Sequence, residues 1–211
     1  MAAAVTAAAL VVGALMTKKG EEEPAEDFYK VKDRTEPTER YHLGIETGGT
    51  TCKIGVMKDV NSLVIEKSVV IKTSDPSRTV YKICKWINEQ PEQFSSMGVA
   101  AFGPLCLDKS STAYGSVTTT PKVAWQKFPL LKTLLAGIKE EKMTQDFRVV
   151  FDTDCNILAA FELENGGHQV KDNIAYITVG TGVGVGFVIN GQSIHGLIHP
   201  EGGHVAVPLL P

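Results

Sequence analysis

The chain has 211 residues, of which 43% are apolar and 21% are charged. This length predicts one large domain or two small ones, with enough apolar side chains for a buried core. The net charge of −3 leaves no basic excess to neutralise phosphates, so nucleic acid is not expected as a partner. The cysteines lie far apart and form no C-x-x-C pair, which favours a reducing, cytoplasmic compartment. They are Cys52, Cys84, Cys106 and Cys155.

The first forty residues differ in composition from the rest of the chain. Residues 1–16 are apolar at all but two positions, and two lysines follow shortly after them. This run is shorter than the roughly 20 residues that cross a bilayer comfortably. Three interpretations stay open: an anchor that leaves the rest of the chain in the cytosol, a disordered or targeting leader, and a secretory signal. Residues 17–40 carry dense charge of both signs, which predicts a solvated linker.

Three β-type runs open the globular part of the chain. They are rich in Val and Ile and are separated by tight turns, so we expect them to pair as an antiparallel meander. The three runs span residues 41–46, 52–58 and 63–72.

Helices and strands alternate after the meander. Ser74 or Asp75, followed by Pro76, predicts the start of a helix whose apolar residues recur at helical spacing over 77–89. The later runs continue the alternation, and their order predicts an α/β fold with a mixed sheet. These runs are strands at 97–102, 147–151, 173–179 and 184–190 and helices at 129–142 and 155–164.

A strand–glycine turn–strand unit occurs twice, over residues 41–58 and 174–190. Two separated copies indicate a duplicated, two-lobe architecture. We place the first lobe at 41–167 and the start of a second lobe at 168–211.

The two glycine turns could bind phosphate groups. Gly48, Gly49, Thr50 and Thr51 form the first turn. Glycine lets backbone N–H groups approach an anion, and a threonine hydroxyl adds a donor. The alternative is that both are ordinary hairpin turns. The second turn consists of Gly180, Thr181 and Gly182.

Two aspartates follow the strand at 147–151. A carboxylate at a strand end over a cleft can accept a proton from a substrate hydroxyl, and we expect Asp154 to be this base. Asp152 is expected to have a structural role as a turn former or a partner of the site. The alternative for one of these carboxylates is a plain helix N-cap.

A polar, flexible segment lies near the end of the sequence. Glu201 and His204 are separated by two glycines and can together bind adjacent sugar hydroxyls. His195 and His199 lie close by in the sequence, which raises the alternative of a metal site. The surrounding glycines and Pro200 exclude the helix that a zinc peptidase would need.

Six ordered motifs resemble one known family. From Tyr41 to Pro211 the chain is similar to the sugar kinases of the repressor/open-reading-frame/kinase (ROK) family, and within it to bacterial-type fructokinases. The resemblance implies an α/β, actin-like ATPase (ribonuclease H-like) fold, with the first lobe complete and the second lobe only begun. The motifs are GIETGGTTCKIGV (44–56), GVAAFGPLCLD (98–108), AYGSVTTTPKVAW (113–125), FDTDCNILAAFE (151–162), ITVGTGVGVGFVINGQSIHG (177–196) and HPEGGH (199–204).

The resemblance also implies roles for individual residues. Asp154 matches the catalytic base, and Asn156 matches a position that helps to order its loop and is expected among the substrate-binding residues. Glu201 and His204 match the pair that binds the sugar, and Gly103 lies in a loop expected near the sugar. The two glycine turns would hold the phosphates of ATP, bridged by Mg²⁺. A homodimer is a further expectation for the family.

Two departures from the family pattern stand out. Thr51 occupies a position where related fructokinases usually carry a lysine, which predicts the loss of one charge near the phosphates. His204 also resembles the first ligand of a structural Zn²⁺ site, but no cysteine follows Cys155, so that site is expected to be incomplete. From the early end of the chain we expect a fragment, a short isoform or an incomplete gene model.

The expected function is ATP-dependent phosphorylation of a hexose, with fructose converted to fructose 6-phosphate. The alternative is a non-catalytic sugar-binding or regulatory relative, or an inactive truncated isoform.

Overall fold

Two β-sheets organise the computed structural model, which describes residues 40–58, 63–169, 172–180, 182–195, 201–206 and 208. The predictions for residues 1–16 and 17–39 therefore lie outside the described residues. The larger sheet has five strands in the order β3-β2-β1-β4-β5. Its strands are β1 (Tyr41–Thr47), β2 (Thr51–Met57), β3 (Lys67–Lys72), β4 (Phe94–Ala101) and β5 (Met143–Thr153).

The predicted meander is confirmed, since β1, β2 and β3 pair antiparallel in sequence order. Strands β4 and β5 then add parallel to β1, which makes the sheet mixed, as expected. The third strand begins at Lys67 and not at residue 63. Leu63 has a positive φ of 56°, which is incompatible with extended strand backbone.

Helix α1 (Pro76–Asn88) connects β3 to β4. Asp75 caps its N-terminus by accepting hydrogen bonds from the backbone N–H groups of Ser77 and Arg78 at 3.0 and 3.2 Å. The predicted helix start is thus confirmed at Asp75. One apolar face of the helix is buried against the larger sheet in the main core.

Helix α2 (Leu130–Gly137) ends five residues earlier than the predicted 129–142. The side chain of Asn88 donates to the Gly137 carbonyl and accepts from the Lys139 amide, both at 3.0 Å. These bonds satisfy backbone groups at the helix end from a distant part of the chain. Beyond it the chain is extended at Ile138, which is buried in the core, and then forms one 3₁₀ turn over 140–142.

Helix α3 (Asp154–Asn165) lies between the two sheets. On one side Ile157 packs on Ala100 of the larger sheet. On the other side Ala159 and Leu163 pack on Val188 of the smaller sheet. Contact on both sides explains why α3 is apolar around most of its circumference.

The smaller sheet is an antiparallel hairpin extended by a short third strand. Its strands are β6 (Ile174–Val179), β7 (Val183–Ile189) and β8 (Gln192–Ser193), in the order β6-β7-β8. The predicted pair of strands about the second glycine turn is therefore confirmed. Two further 3₁₀ turns are formed by Val123–Trp125 and Gly202–His204. None of the helices in the described part of the chain is long and apolar enough to cross a membrane.

Candidate active site at the carboxyl edge of the larger sheet

The parallel strands β1, β4 and β5 end at one edge of the larger sheet. Glu46, Ala100 and Asp152 lie side by side there, because Glu46 is in register with Ala100 and Ala100 with Asp152. Residues in register project to the same face of a sheet. Ala100 contacts Ile157, so this face is the one that α3 covers. The Cα atoms of Glu46 and Asp152 therefore lie two strand spacings, roughly 10 Å, apart along this edge.

Asp154 is the first residue of α3. The helix is capped by Thr153, whose hydroxyl accepts from the Asn156 amide at 3.2 Å, so the N-cap alternative for an aspartate is wrong. Asp154 is half-buried, and its Oδ1 accepts a hydrogen bond from the Cys155 amide at 2.9 Å. The carboxylate thus stands at the strand end where the sequence predicted a base.

Asp152 makes three hydrogen bonds and is only 8% exposed. Its Oδ1 accepts from the Thr153 amide at 2.6 Å and from Asn156 Nδ2 at 3.1 Å. Its Oδ2 accepts from His195 Nε2 at 2.7 Å. These bonds are those of a structural carboxylate, and they support the role expected for Asp152.

The carboxylates of the site influence the pKa values of Cys155 and Tyr176. Burial, and after it the charges of Asp154 and Glu201, together raise the pKa of the Cys155 thiol to about 12. The pKa of Tyr176 is raised by burial first, and then by the charges of Cys155, Asp154 and Glu46. The charges of Asp154 and Glu201 thus both act on Cys155, and those of Asp154 and Glu46 both act on Tyr176. The thiol is protonated at neutral pH and is not a nucleophile here.

The segment 201–204 packs on strand β7. Glu201 adopts a left-handed conformation with φ of 49°. A Cβ at Gly202 would lie 3.1 Å from the side chain of Val185, and one at Gly203 would overlap the Val183 carbonyl. The Nε2 atom of His204 lies 3.8 Å from Glu201 Oε2. The structure therefore brings the two predicted sugar-binding residues together.

The first glycine turn is tightly closed. The Gly48 amide donates to the Thr51 carbonyl at 2.9 Å, and a Cβ at position 48 would lie 2.7 Å from that carbonyl oxygen. The Thr73 hydroxyl donates to the Gly48 carbonyl at 2.8 Å and braces the turn from β3. Thr50 is exposed at the tip, next to Gly49.

A lysine lies over this turn. The Cε atom of Lys122 is 3.2 Å from the place where a Cβ of Gly49 would stand, and the Lys122 residue is exposed. Lys53 follows Thr51 by two residues and thus projects to the same face of β2. Its Nζ pairs with Glu46 Oε2 at 2.7 Å. Thr51 carries no charge, but Lys122 and Lys53 provide two positive charges close to the turn.

The second glycine turn is open. A Cβ at Gly180 or Gly182 would meet no atom of the described residues within 4 Å, and the Gly180 amide donates to the Gly182 carbonyl at 2.9 Å. Thr181 lies outside the described residues. By contrast, a Cβ at Gly184 would lie 2.6 Å from Cys155 Sγ, so this glycine serves packing against α3.

The loop after β4 lies beside these elements. Gly103 directly follows the strand through Phe102, whose amide donates to the Thr47 carbonyl at 3.0 Å. The peptide bond between Gly103 and Pro104 is cis. Tyr114 comes from the neighbouring loop, and its pKa is raised by burial and by the charge of Asp152. Through these contacts the loops at 103 and 114 approach the strand ends that carry Thr47 and Asp152.

Sequence reasoning missed three residues of this site, Glu46, Lys53 and Tyr176, and considered His195 only as a candidate metal ligand. The alternation of a β-strand could have shown that Lys53 lies on the same face as Thr51. Nothing in the sequence connects His195 with Asp152, because 43 positions separate them.

The described residues contain no group of three His, Cys, Asp or Glu side chains close enough to hold a metal ion. Within that part of the chain, His204 lies 3.8 Å from one residue of a ligand type, Glu201. The structural Zn²⁺ expected for the family is therefore not supported, and no chemistry is derived from it. His199 lies outside the described residues.

A mixed sheet with carboxylates at its edge, flanked by glycine hairpins, defines an α/β protein of the actin-like ATPase fold. The fold matches that of a ROK family glucokinase from Streptomyces griseus, solved in complex with glucose and AMPPNP. The match has a TM-score of 0.59 and 25% identity, and covers 81% of this chain and 51% of that one.

The chain belongs to the ROK family, whose model matches residues 42–210. A putative fructokinase from Bacillus subtilis is 34% identical over 80% of this chain and 52% of its own length. A fructokinase from Lactococcus lactis is 35% identical over 78% of this chain and 52% of its own length. The chain thus spans about half the length of the curated relatives it matches.

Proposed function

We propose that this protein phosphorylates a hexose at the expense of ATP, with Asp154 as the catalytic base. The position of Asp154 carries the proposal: it is a half-buried carboxylate that directly follows the carboxyl end of β5, and its charge acts on Cys155, as does that of Glu201. A general base must lie within reach of the hydroxyl that it deprotonates, and in this proposal Glu201 with His204 holds the sugar there.

The chemistry that follows is a phosphoryl transfer. The Asp154 carboxylate accepts the proton of the attacking sugar hydroxyl while the sugar oxygen forms a bond to the γ-phosphorus of ATP. The bond between that phosphorus and the bridging oxygen breaks, and ADP leaves with the electron pair. Most of the catalytic effect in such reactions comes from positioning and charge stabilisation.

The phosphates are proposed to lie between the two glycine turns. The turn at 48–51 presents backbone amides, and Lys122 places a positive charge beside Gly49. The open Gly180 and Gly182 leave room for an anion to approach the backbone. Mg²⁺ is usually held by one or two carboxylates together with substrate phosphates, and Glu46 and Asp154 suit that arrangement. When bound, Mg²⁺ would neutralise charge on the transferring phosphoryl group.

Fructose is the proposed sugar. The two relatives reported above at 34% and 35% identity are named fructokinases, whereas the solved glucokinase is 25% identical. Kinase names among these relatives also make a purely regulatory role the less favoured alternative.

The test is ADP release coupled to NADH oxidation, with the full chain, ATP and Mg²⁺. Fructose, glucose, mannose and N-acetylglucosamine are compared with a reaction that lacks sugar. We expect the highest kcat/KM with fructose. Turnover of glucose alone would overturn the choice of sugar, and no sugar-dependent turnover would overturn the kinase proposal. Calorimetry with fructose in the absence of nucleotide then distinguishes a sugar-binding protein from one that binds no sugar.

A further inference from the structure

His195 connects the smaller sheet to the strand end that precedes the proposed base. It follows strand β8, and its Nε2 donates to Asp152 Oδ2 at 2.7 Å. The imidazole is 41% exposed, whereas the Asp152 side chain is 11% exposed. The contact therefore joins a partly exposed residue of one sheet to a buried carboxylate of the other.

Asp152 in turn sets the orientation of the Asn156 side chain. A carboxylate only accepts hydrogen bonds, so the Asn156 carboxamide must present its Nδ2 to Asp152 Oδ1, at 3.1 Å. The carboxamide oxygen then points away from Asp152. Asn156 is 1% exposed, and its Oδ1 is buried with no hydrogen-bond partner among the described residues.

A buried acceptor without a donor is destabilising, and such groups are rare in folded proteins. Asn156 lies two residues after Asp154, in the first turn of α3. A ligand hydroxyl that reaches Asn156 Oδ1 in this first helical turn would supply the missing donor. The energetic cost of the unpaired oxygen would be relieved only when such a ligand is bound.

We propose that His195 is a positioning residue for a hydroxyl-binding acceptor at Asn156. By holding Asp152, His195 fixes the carboxamide so that Asn156 Oδ1 accepts a hydrogen bond from a hexose hydroxyl. His195 also lies six residues before Glu201, so the same contact tethers the chain that leads to the sugar-binding segment. The identity of the ligand as a hexose rests on the proposed function above.

The chain offers a matched control for this arrangement. His168 Nε2 lies 3.2 Å from Glu162 Oε1 at the other end of α3, and both side chains are at least 36% exposed. This pair has the same chemistry as His195 with Asp152 but no buried carboxamide attached to it. Loss of His168 should therefore have no effect on Asn156.

The first measurement is the side-chain amide of Asn156 by NMR, in ¹⁵N-labelled protein without ligand. We expect slowly exchanging amide protons in the wild type and in His168→Leu. In His195→Leu we expect faster exchange and shifted resonances. In His195→Gln, which retains a donor, we expect partial recovery, and this variant also serves if His195→Leu does not fold. If His195→Leu folds and its Asn156 amide protons exchange as slowly as in the wild type, the proposal is overturned. If His195→Leu does not fold, the proposal is overturned when the Asn156 amide protons of His195→Gln show no recovery of slow exchange.

The second measurement is fructose affinity by calorimetry, with folding of each variant checked by circular dichroism. We expect about a tenfold loss for His195→Leu, which is the factor that one hydrogen bond to a charged group supports, and none for His168→Leu. Wild-type affinity in His195→Leu would contradict the proposal. If the wild type binds no hexose, the proposed function fails, and the amide exchange still decides the role of His195.

Discussion

Gly186 of β7 lies directly against the backbone of Cys155 in the first turn of α3. A Cβ at position 186 would lie 2.7 Å from the Asn156 amide nitrogen and nearer still to the Cys155 carbonyl. Strand β7 can approach the helix this closely because residue 186 has no side chain. Of the four alternating glycines of this hairpin, Gly184 and Gly186 pack on α3, whereas Gly180 and Gly182 lie open at its tip.

Gly186→Ala should lower the free energy of unfolding by about 1–3 kcal/mol, because the added methyl group forces β7 away from α3. The measurement is urea denaturation followed by circular dichroism. Gly180→Ala is the control, and its stability should stay within about 0.5 kcal/mol of the wild type, since a Cβ there meets no neighbour in the described part of the chain. Equal losses in the two variants would contradict this division of roles.

Asp154→Asn should abolish sugar-dependent ADP release while leaving the fold intact. An amide does not accept the hydroxyl proton, so kcat should fall by about 10²-fold or more, the factor typical of general-base catalysis. Glu164→Gln, an exposed acidic residue of the same helix, is the control and should retain wild-type kcat. An Asp154→Asn variant with undiminished kcat would show that another group accepts the proton.

The stabilising effect of His195 should depend on pH. The hydrogen bond to Asp152 raises the pKa of His195 above its usual 6.5, and partial burial opposes this effect. Because the folded protein favours the protonated imidazole, this stabilisation is fully present below 6.5 and declines as pH rises through the folded pKa.

We therefore expect His195→Leu to lower the free energy of unfolding more at about pH 5.5 than at about pH 8.5. The measurement is urea denaturation of the wild type and the variant at both values. If the free energy of unfolding differs between wild type and variant by the same amount at both pH values, or by more at the higher pH, a raised pKa of His195 would be contradicted.

Lys122→Met should raise the KM for ATP by about three- to tenfold, because the variant keeps the apolar stem beside Gly49 and loses the charge. The measurement is ADP release at saturating fructose and varied ATP. Lys132→Met, an exposed position on α2, is the control for the change in net charge. Equal KM values in the two variants would show that Lys122 does not act on the phosphates.

Local patterns predicted much of the fold. The meander and the start of α1 followed from residues that act within a few positions of one another, such as Asp75 capping its own helix. The end of α2 did not follow from its sequence, because the helical pattern continues past Gly137. That end is set by Asn88, which lies 49 residues earlier in the chain.

The candidate site, like the fold, was predicted from the sequence only where its residues follow from local patterns. Asp154 was predicted as the base and Asp152 as a structural partner because both follow an apolar strand and precede a helix, and this local order places them at a sheet edge. The ion pair of Lys53 with Glu46 was not predicted, although Lys53 lies on the same face of β2 as Thr51. Its partner lies on the next strand, and the pairing register decides which residues meet.

The sequence by itself determined the family motifs, the alternation of strands and helices and the candidate base, since each depends on short-range backbone and side-chain chemistry. Only the tertiary structure decided which glycines pack on α3 and which stay open, and that His195 meets Asp152. The physical reason is that these contacts join segments that are distant in the chain. Their meeting depends on how the two sheets pack on α3, and no local pattern encodes that packing.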